Sequence, residues 1–198
     1  ILLPDSGKSL PALIYLSCTG GKPGDIDSVR NVAKELGWAI ATCGKSRNHR
    51  SGAKNEDDIL DLASKLTATG RVDPSRIILF GFSGQGAQAL GTAFRYPEAI
   101  RGAVTDCAHL GQVNEFDPER SADQIFYVIT REEDWNRSSN ERLAEELEKY
   151  GIAHNLIITP GEHGIGPAGE ILTACRWMAG QWQKGGPAMN QDDKNLPQ

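Results

Sequence analysis

Ile77-Ile78-Leu79-Phe80-Gly81-Phe82-Ser83-Gly84-Gln85-Gly86-Ala87 is the stretch on which the fold of this 198-residue chain turns. A β-branched strand runs here into glycines and small residues that open a helix. A sharp strand-to-helix bend forces its central residue, Ser83, into strained dihedrals, and bulk at Gly81 or Gly84 would clash across it. The hydroxyl is thereby held out above the sheet. The following helix points free N–H groups and its positive end at the same space. The plain alternative is a tight βα turn with Ser83 as an N-cap. A phosphate-binding loop does not fit, because the GxGxxG and GxxxxGK[ST] spacings are absent.

Working outward, short apolar runs alternate with helical patterns. Residues 12–16, 38–42, 76–80, 102–105, 124–129 and 154–158 are expected as strands. Residues 25–36, 55–67, 84–96, 138–150 and 167–183 are expected as helices, with apolar residues at i, i+3 or i+4. Such alternation predicts the α/β class: a mostly parallel sheet of about six or more strands with helices on both faces. Residues 1–184 are expected to form one domain, and 185–198, rich in Gly, Pro, Asn, Gln and Asp, a loose tail. The interval from Ala108 to Asp123 is too short for a large cap, which suits small or accessible substrates.

On such sheets ligands bind at the carboxyl ends of the strands. The polar residues just after each strand are therefore the candidates: the 17–21 loop, the 43–54 loop, Ser83, Asp106, the 131–135 loop and His163. His163 lies in a glycine-rich loop, Thr159-Pro160-Gly161-Glu162-His163-Gly164-Ile165-Gly166-Pro167, where a mobile base belongs. His49, His109 and His154 are weaker candidates. Asp134 follows the penultimate strand, so Ser83, Asp134 and His163 stand in the order nucleophile, acid, base. Glu132, Glu133 and Asp106 remain alternative acids. An oxyanion hole needs two backbone donors. One is expected from Gly84, and the other from Leu16-Ser17-Cys18-Thr19-Gly20-Gly21, with Thr19 first and Cys18 next.

The chain carries a net charge of -5 with both signs mixed along it, so no nucleic-acid footprint is expected. No apolar run approaches the ~18 residues of a membrane span. The four cysteines, Cys18, Cys43, Cys107 and Cys175, form no CxxC motif or Cys/His cluster, which argues against a metal site and a disulfide scaffold. The chain begins at Ile1 without a methionine or a basic leader, as a trimmed form would. A soluble protein is expected, cytoplasmic or exported. The 43–54 loop carries Lys45, Arg47 and Arg50 near the expected rim, to favour anionic or polar substrates or simply as a solvated basic loop.

On these residues the chain resembles the α/β-hydrolase superfamily, and within it the small carboxylesterase, phospholipase and dienelactone hydrolase group. Gly81-Phe82-Ser83 looks like the nucleophile elbow of that group and Gly161-Glu162-His163 like its GxH motif. Three positions depart from the pattern. Gln85 stands where GxSxG has glycine, Ser17-Cys18-Thr19 where the first loop usually continues as His-Gly, and Arg131 where glycine usually precedes the acid. The resemblance implies acyl transfer through a covalent acyl-enzyme, with no cofactor and no metal. A small-molecule carboxylic ester is the expected substrate, a thioester or lactone its near variants. The competing readings are a small serine peptidase and a catalytically silent binding protein. The silent reading requires Ser83 and His163 to lie beyond hydrogen-bond reach.

Overall fold

In the computed structural model, which describes residues 1–5, 9–110 and 116–185, the strands are β1 (Leu10–Leu16), β2 (Ala39–Thr42), β3 (Val72–Phe82), β4 (Gly102–Asp106), β5 (Ile125–Glu133) and β6 (Ala153–Glu162). They form one sheet in the order β2-β1-β3-β4-β5-β6, every neighbouring pair parallel. The chain passes from β1 outward to β2, then returns across β1 to β3. The winding therefore reverses between β1 and β3, and a crevice opens at their carboxyl ends.

Side-chain alternation along the strands divides the core in two. Ala12, Ile14 and Leu16 of β1 and Ile77 and Leu79 of β3 face one side. There they meet Ile59 and Leu66 of α3 (Gly52–Thr67), Leu90 and Phe94 of α4 (Ser83–Arg95) and Leu143 of α5 (Arg137–Lys149). Leu13, Ile78 and Phe80 face the other side. Their partners include Val32 of α2 (Arg30–Leu36) and Ile171, Cys175 and Met178 of α6 (Ala168–Gly185), with Ile26 of α1 (Pro23–Ser28) packed at the margin. Strands buried on both faces need the near-continuous apolar runs that marked them in the sequence.

The structure corrects several boundaries. The helix expected over 25–36 is two, because Val29 leaves helical geometry at φ -118°, ψ 10° and is wholly buried. Strand β3 begins at Val72, beside Leu10, not at Arg76. Residues 131–133 and 159–162, expected as loop, extend β5 and β6, because these two strands keep pairing beyond the rest of the sheet. Gly185, assigned to the tail, ends α6. The remaining tail residues, 186–198, lie outside the described residues.

Candidate active site

Four consecutive strands of the sheet, β3 to β6, end at Phe82, Asp106, Glu133 and Glu162. The residue following each is Ser83, Cys107, Asp134 or His163. Sheet register then does the assembly. Glu133 is paired with Glu162, so Asp134 and His163 emerge side by side, and Phe82 is paired with Asp106 one strand away.

Ser83 has φ 52°, a left-handed conformation that costs a non-glycine residue energy and persists only where its surroundings hold it. A Cβ at Gly81 would collide with the Gln85 carbonyl. One at Gly86 would stand 2.8 Å from the Ala108 Cβ and 2.9 Å from the Gly81 oxygen. The displaced glycine thus supplies close approach, and Gln85 is free to carry a side chain. That side chain is buried, its Oε1 accepting from Ser46 Oγ at 2.7 Å and its Nε2 donating to Asn48 Oδ1 at 3.4 Å.

His163 Nε2 lies 3.0 Å from Ser83 Oγ, and its Nδ1 lies 2.7 Å from Asp134 Oδ1. Asp134 Oδ1 also accepts from the Asn136 amide at 3.0 Å, and Oδ2 accepts from the Thr130 hydroxyl at 2.7 Å. Burial alone would raise the Asp134 carboxyl. The hydrogen bonds from Asn136, His163, Thr130 and the Cys107 thiol outweigh it and hold this group below the ordinary aspartate value. Two aromatic rings contact the imidazole. Trp135 stacks on it at 3.8 Å and 19°, although 74% exposed, and Phe82 approaches at 5.0 Å.

The alternative acids are occupied elsewhere or exposed. Glu132 and Glu133 face solvent. Asp106, 1% exposed, meets Arg131 at 3.2 Å and accepts from the Gly166 amide at 2.7 Å, while Arg131 also reaches Glu170 at 3.0 Å. The arginine that departs from the family pattern is therefore the centre of a buried ion cluster beneath the His163 loop. Burial pushes the Asp106 carboxyl above its ordinary value, against the pull of Gly166 and Arg131.

Cys107 was not singled out by the sequence, yet it sits against the same pair with φ 50°. Its oxygen accepts from Asn136 Nδ2 at 3.0 Å, and its amide donates to Ile129 O at 2.8 Å. The ligand atoms of Cys107, Asp134 and His163 lie within 4.8 Å of one another. Spacing along the chain could not disclose this grouping. Its chemistry suits hydrogen bonding better than metal ligation: burial pushes the thiol up to about 12, and Nδ1 and Oδ1 are already in contact.

In the first loop, the Gly20 and Gly21 amides are committed to Ser17 O and Cys43 O, which leaves Cys18 and Thr19 as its candidate donors. Cys18 touches the elbow, its thiol donating to Phe82 O at 3.3 Å. Thr19 is exposed one residue further on. Gly84 lies in the first turn of α4, whose amides lack intrahelical acceptors. Beside Ser83 and Gly84 opens a cleft of about 410 Å³, lined among others by Arg47, Asn48, His49, Arg50, Gln88 and His109. Of the other histidines, His154 lies at the opposite end of the sheet, its Nδ1 2.9 Å from Ile152 O.

No protein-family model and no curated protein sequence matches this chain. Solved structures do. An esterase of Pyrobaculum calidifontis superposes with a TM-score of 0.70 at 17% identity, covering 89% of this chain and 79% of that one. A fluorophosphonate-binding serine hydrolase of Staphylococcus aureus, FphF, gives 0.69 at 16% identity, covering 89% of each chain. Esterase PE8 gives 0.67 at 19% identity, covering 90% of this chain and 96% of that one. Similarity at this level of identity establishes the fold, which is that of the α/β-hydrolases.

Proposed function

We propose that this α/β-hydrolase-fold chain is a serine hydrolase that cleaves a carboxylic ester. Ser83 is its nucleophile, His163 its general base and Asp134 the acid that orients the imidazole. The observation that carries this reading is the continuous contact from Asp134 through His163 to a serine held in a strained bend at a helix N-terminus. A silent binding protein has no need of that contact, and the 3.0 Å separation is within the reach general-base catalysis requires. The esterases and serine hydrolases among the similar structures agree with this assignment.

Ser83 Oγ attacks the ester carbonyl carbon while its proton passes to His163 Nε2. The tetrahedral oxygen is met by the Gly84 amide and by that of Thr19 or Cys18. Asp134, kept ionised by its donors, accepts Nδ1–H and stabilises the imidazolium. Collapse breaks the bond to the alcohol oxygen, which leaves with the proton from Nε2, and the acyl group stays on Ser83. Water then attacks the acyl carbon, gives a proton to Nε2, and releases the acid as Oγ recovers it.

A fluorophosphonate reporter should label the wild-type chain covalently and leave Ser83→Ala unlabelled. An unlabelled wild type with native circular dichroism would refute the assignment. Trp135 stacks on the ring that becomes cationic, worth about 0.5–1 kcal/mol for an exposed ring. Trp135→Ala is therefore expected to lower kcat by about two- to fivefold with little change in Tm, since the indole is mostly exposed. An unchanged kcat would show that the stack does not act on the imidazolium.

A further inference from the structure

We propose that the part of the substrate bound beside Ser83 carries a negative charge, so that the preferred ester bears a carboxylate or phosphate within reach of the loop between β2 and α3. This inference rests on the serine-hydrolase reading and concerns what that site accepts. It begins with the cleft lining. Among the described residues bordering the 410 Å³ cleft are two arginines, two histidines, two asparagines and two glutamines, together with Ser83 and glycines. None is aliphatic or acidic, and none is Phe, Tyr or Trp. An acyl chain entering here would meet a lining that is mostly polar, and would strip water from amides and guanidinium groups for little apolar contact in return. A polar, anionic group would replace that water with charge-assisted hydrogen bonds.

The cations are unequally committed. Arg50 is held by Asp58 at 2.6 Å and donates to Asn55 Oδ1 at 2.9 Å, so it serves as a fixed wall. Arg47 is exposed, and among the described residues its guanidinium makes no ion pair, while its backbone is tied down. Its amide donates to Asn55 Oδ1 at 3.3 Å, and its carbonyl accepts from Asn55 Nδ2 at 3.0 Å. Asn55 is itself buried and linked to Gln88 Oε1 at 3.2 Å, so the loop is braced from below by the helix that Ser83 opens. A tethered backbone carrying an uncommitted guanidinium beside a nucleophile is an arrangement suited to an anion.

Local charge agrees. The carboxylates nearest these arginines are already paired: Asp58 with Arg50 and Lys45, and the buried Glu56 with Arg95. Across residues 45–58 together with Arg95, five cations (Lys45, Arg47, Arg50, Lys54 and Arg95) thus stand against three carboxylates (Glu56, Asp57 and Asp58), in a chain whose net charge is -5. A positive cleft on an acidic surface attracts anionic substrates to that cleft and leaves the remaining surface unfavourable to them. Asn48 completes the wall on the oxyanion side. Its amide donates to Cys18 O at 3.0 Å, and its side chain lies so close to Gly84 that a Cβ there would be 2.7 Å from Asn48 Oδ1.

The test compares kcat/KM within matched ester pairs. On the acyl side, mono(4-nitrophenyl) glutarate is set against 4-nitrophenyl pentanoate. On the alcohol side, 4-acetoxybenzoate and 4-acetoxyphenyl phosphate are set against phenyl acetate, which separates carboxylate from phosphate. In at least one pair the anionic ester should exceed its neutral partner by about tenfold or more at low ionic strength, and the excess should shrink in 0.5 M salt, where screening shortens to a few ångströms. Arg47→Gln should reduce the anionic-to-neutral ratio at least about fivefold, and Arg47→Lys should restore much of it. Neutral esters turned over as fast as or faster than every anionic partner would overturn the charge preference and leave the hydrolase assignment standing. No turnover of any ester, together with no fluorophosphonate labelling, would overturn that assignment and this inference with it.

Discussion

Ser83→Ala and His163→Ala, made separately, should each lower kcat by about 10⁶-fold, and the double variant should be no worse than either. The reason is the 3.0 Å contact: in the proposed mechanism Ser83 Oγ becomes a nucleophile only as His163 Nε2 takes its proton, so removing either partner would remove the same event. Asp134→Asn should cost about 10⁴-fold, because an amide in place of the carboxylate favours the wrong imidazole tautomer. Initial rates on 4-nitrophenyl acetate, with folding checked by circular dichroism, decide this. A His163→Ala chain that kept a tenth of wild-type activity, or single losses that multiplied in the double variant, would remove His163 from the proposed chemistry.

Arg131→Met is expected to be the most destabilising of the substitutions considered, by about 3–5 kcal/mol, because it leaves the Asp106 carboxylate buried without its ion partner. In a domain of this size that lowers Tm by about 6–20 °C. The double change Asp106→Leu with Arg131→Met should recover a large part of the loss, since an unpaired charge is then no longer buried. The Gly166 amide, which donates to Asp106 at 2.7 Å, would lose its acceptor in that variant, so full recovery is not expected. Thermal melts of the two single variants and the double variant form a cycle. Additive losses would mean that the two side chains do not act as a pair.

Much of the architecture is legible in the sequence. Strand and helix alternation follows from local apolar patterning, which survives whatever the distant chain does, and all six strands and the helices between them lie where that patterning put them within a few residues. The errors lie at ends and breaks. Val29 interrupts a helix because the core draws its side chain in, and β5 and β6 run on because each continues to pair with the other. Neither cause is visible in a window of sequence. Ser83 could be named because its signal is local, a strand, a glycine bend and a helix start within eleven residues.

The sequence by itself determined the α/β alternation, the bend at Ser83 and the order in which the serine, the acidic cluster and the loop histidine follow one another, since each is written in neighbouring residues. Tertiary structure alone decided which carboxylate meets His163, because that depends on Glu133 lying opposite Glu162 and on Arg131 occupying Asp106 across strands. It also decided that Cys107 backs the pair and that an arginine breaking the expected pattern anchors an ion cluster. Ser83 and His163 are eighty residues apart, and contact at that separation is set by sheet register and burial, properties of the whole sheet to which local sequence contributes only its share.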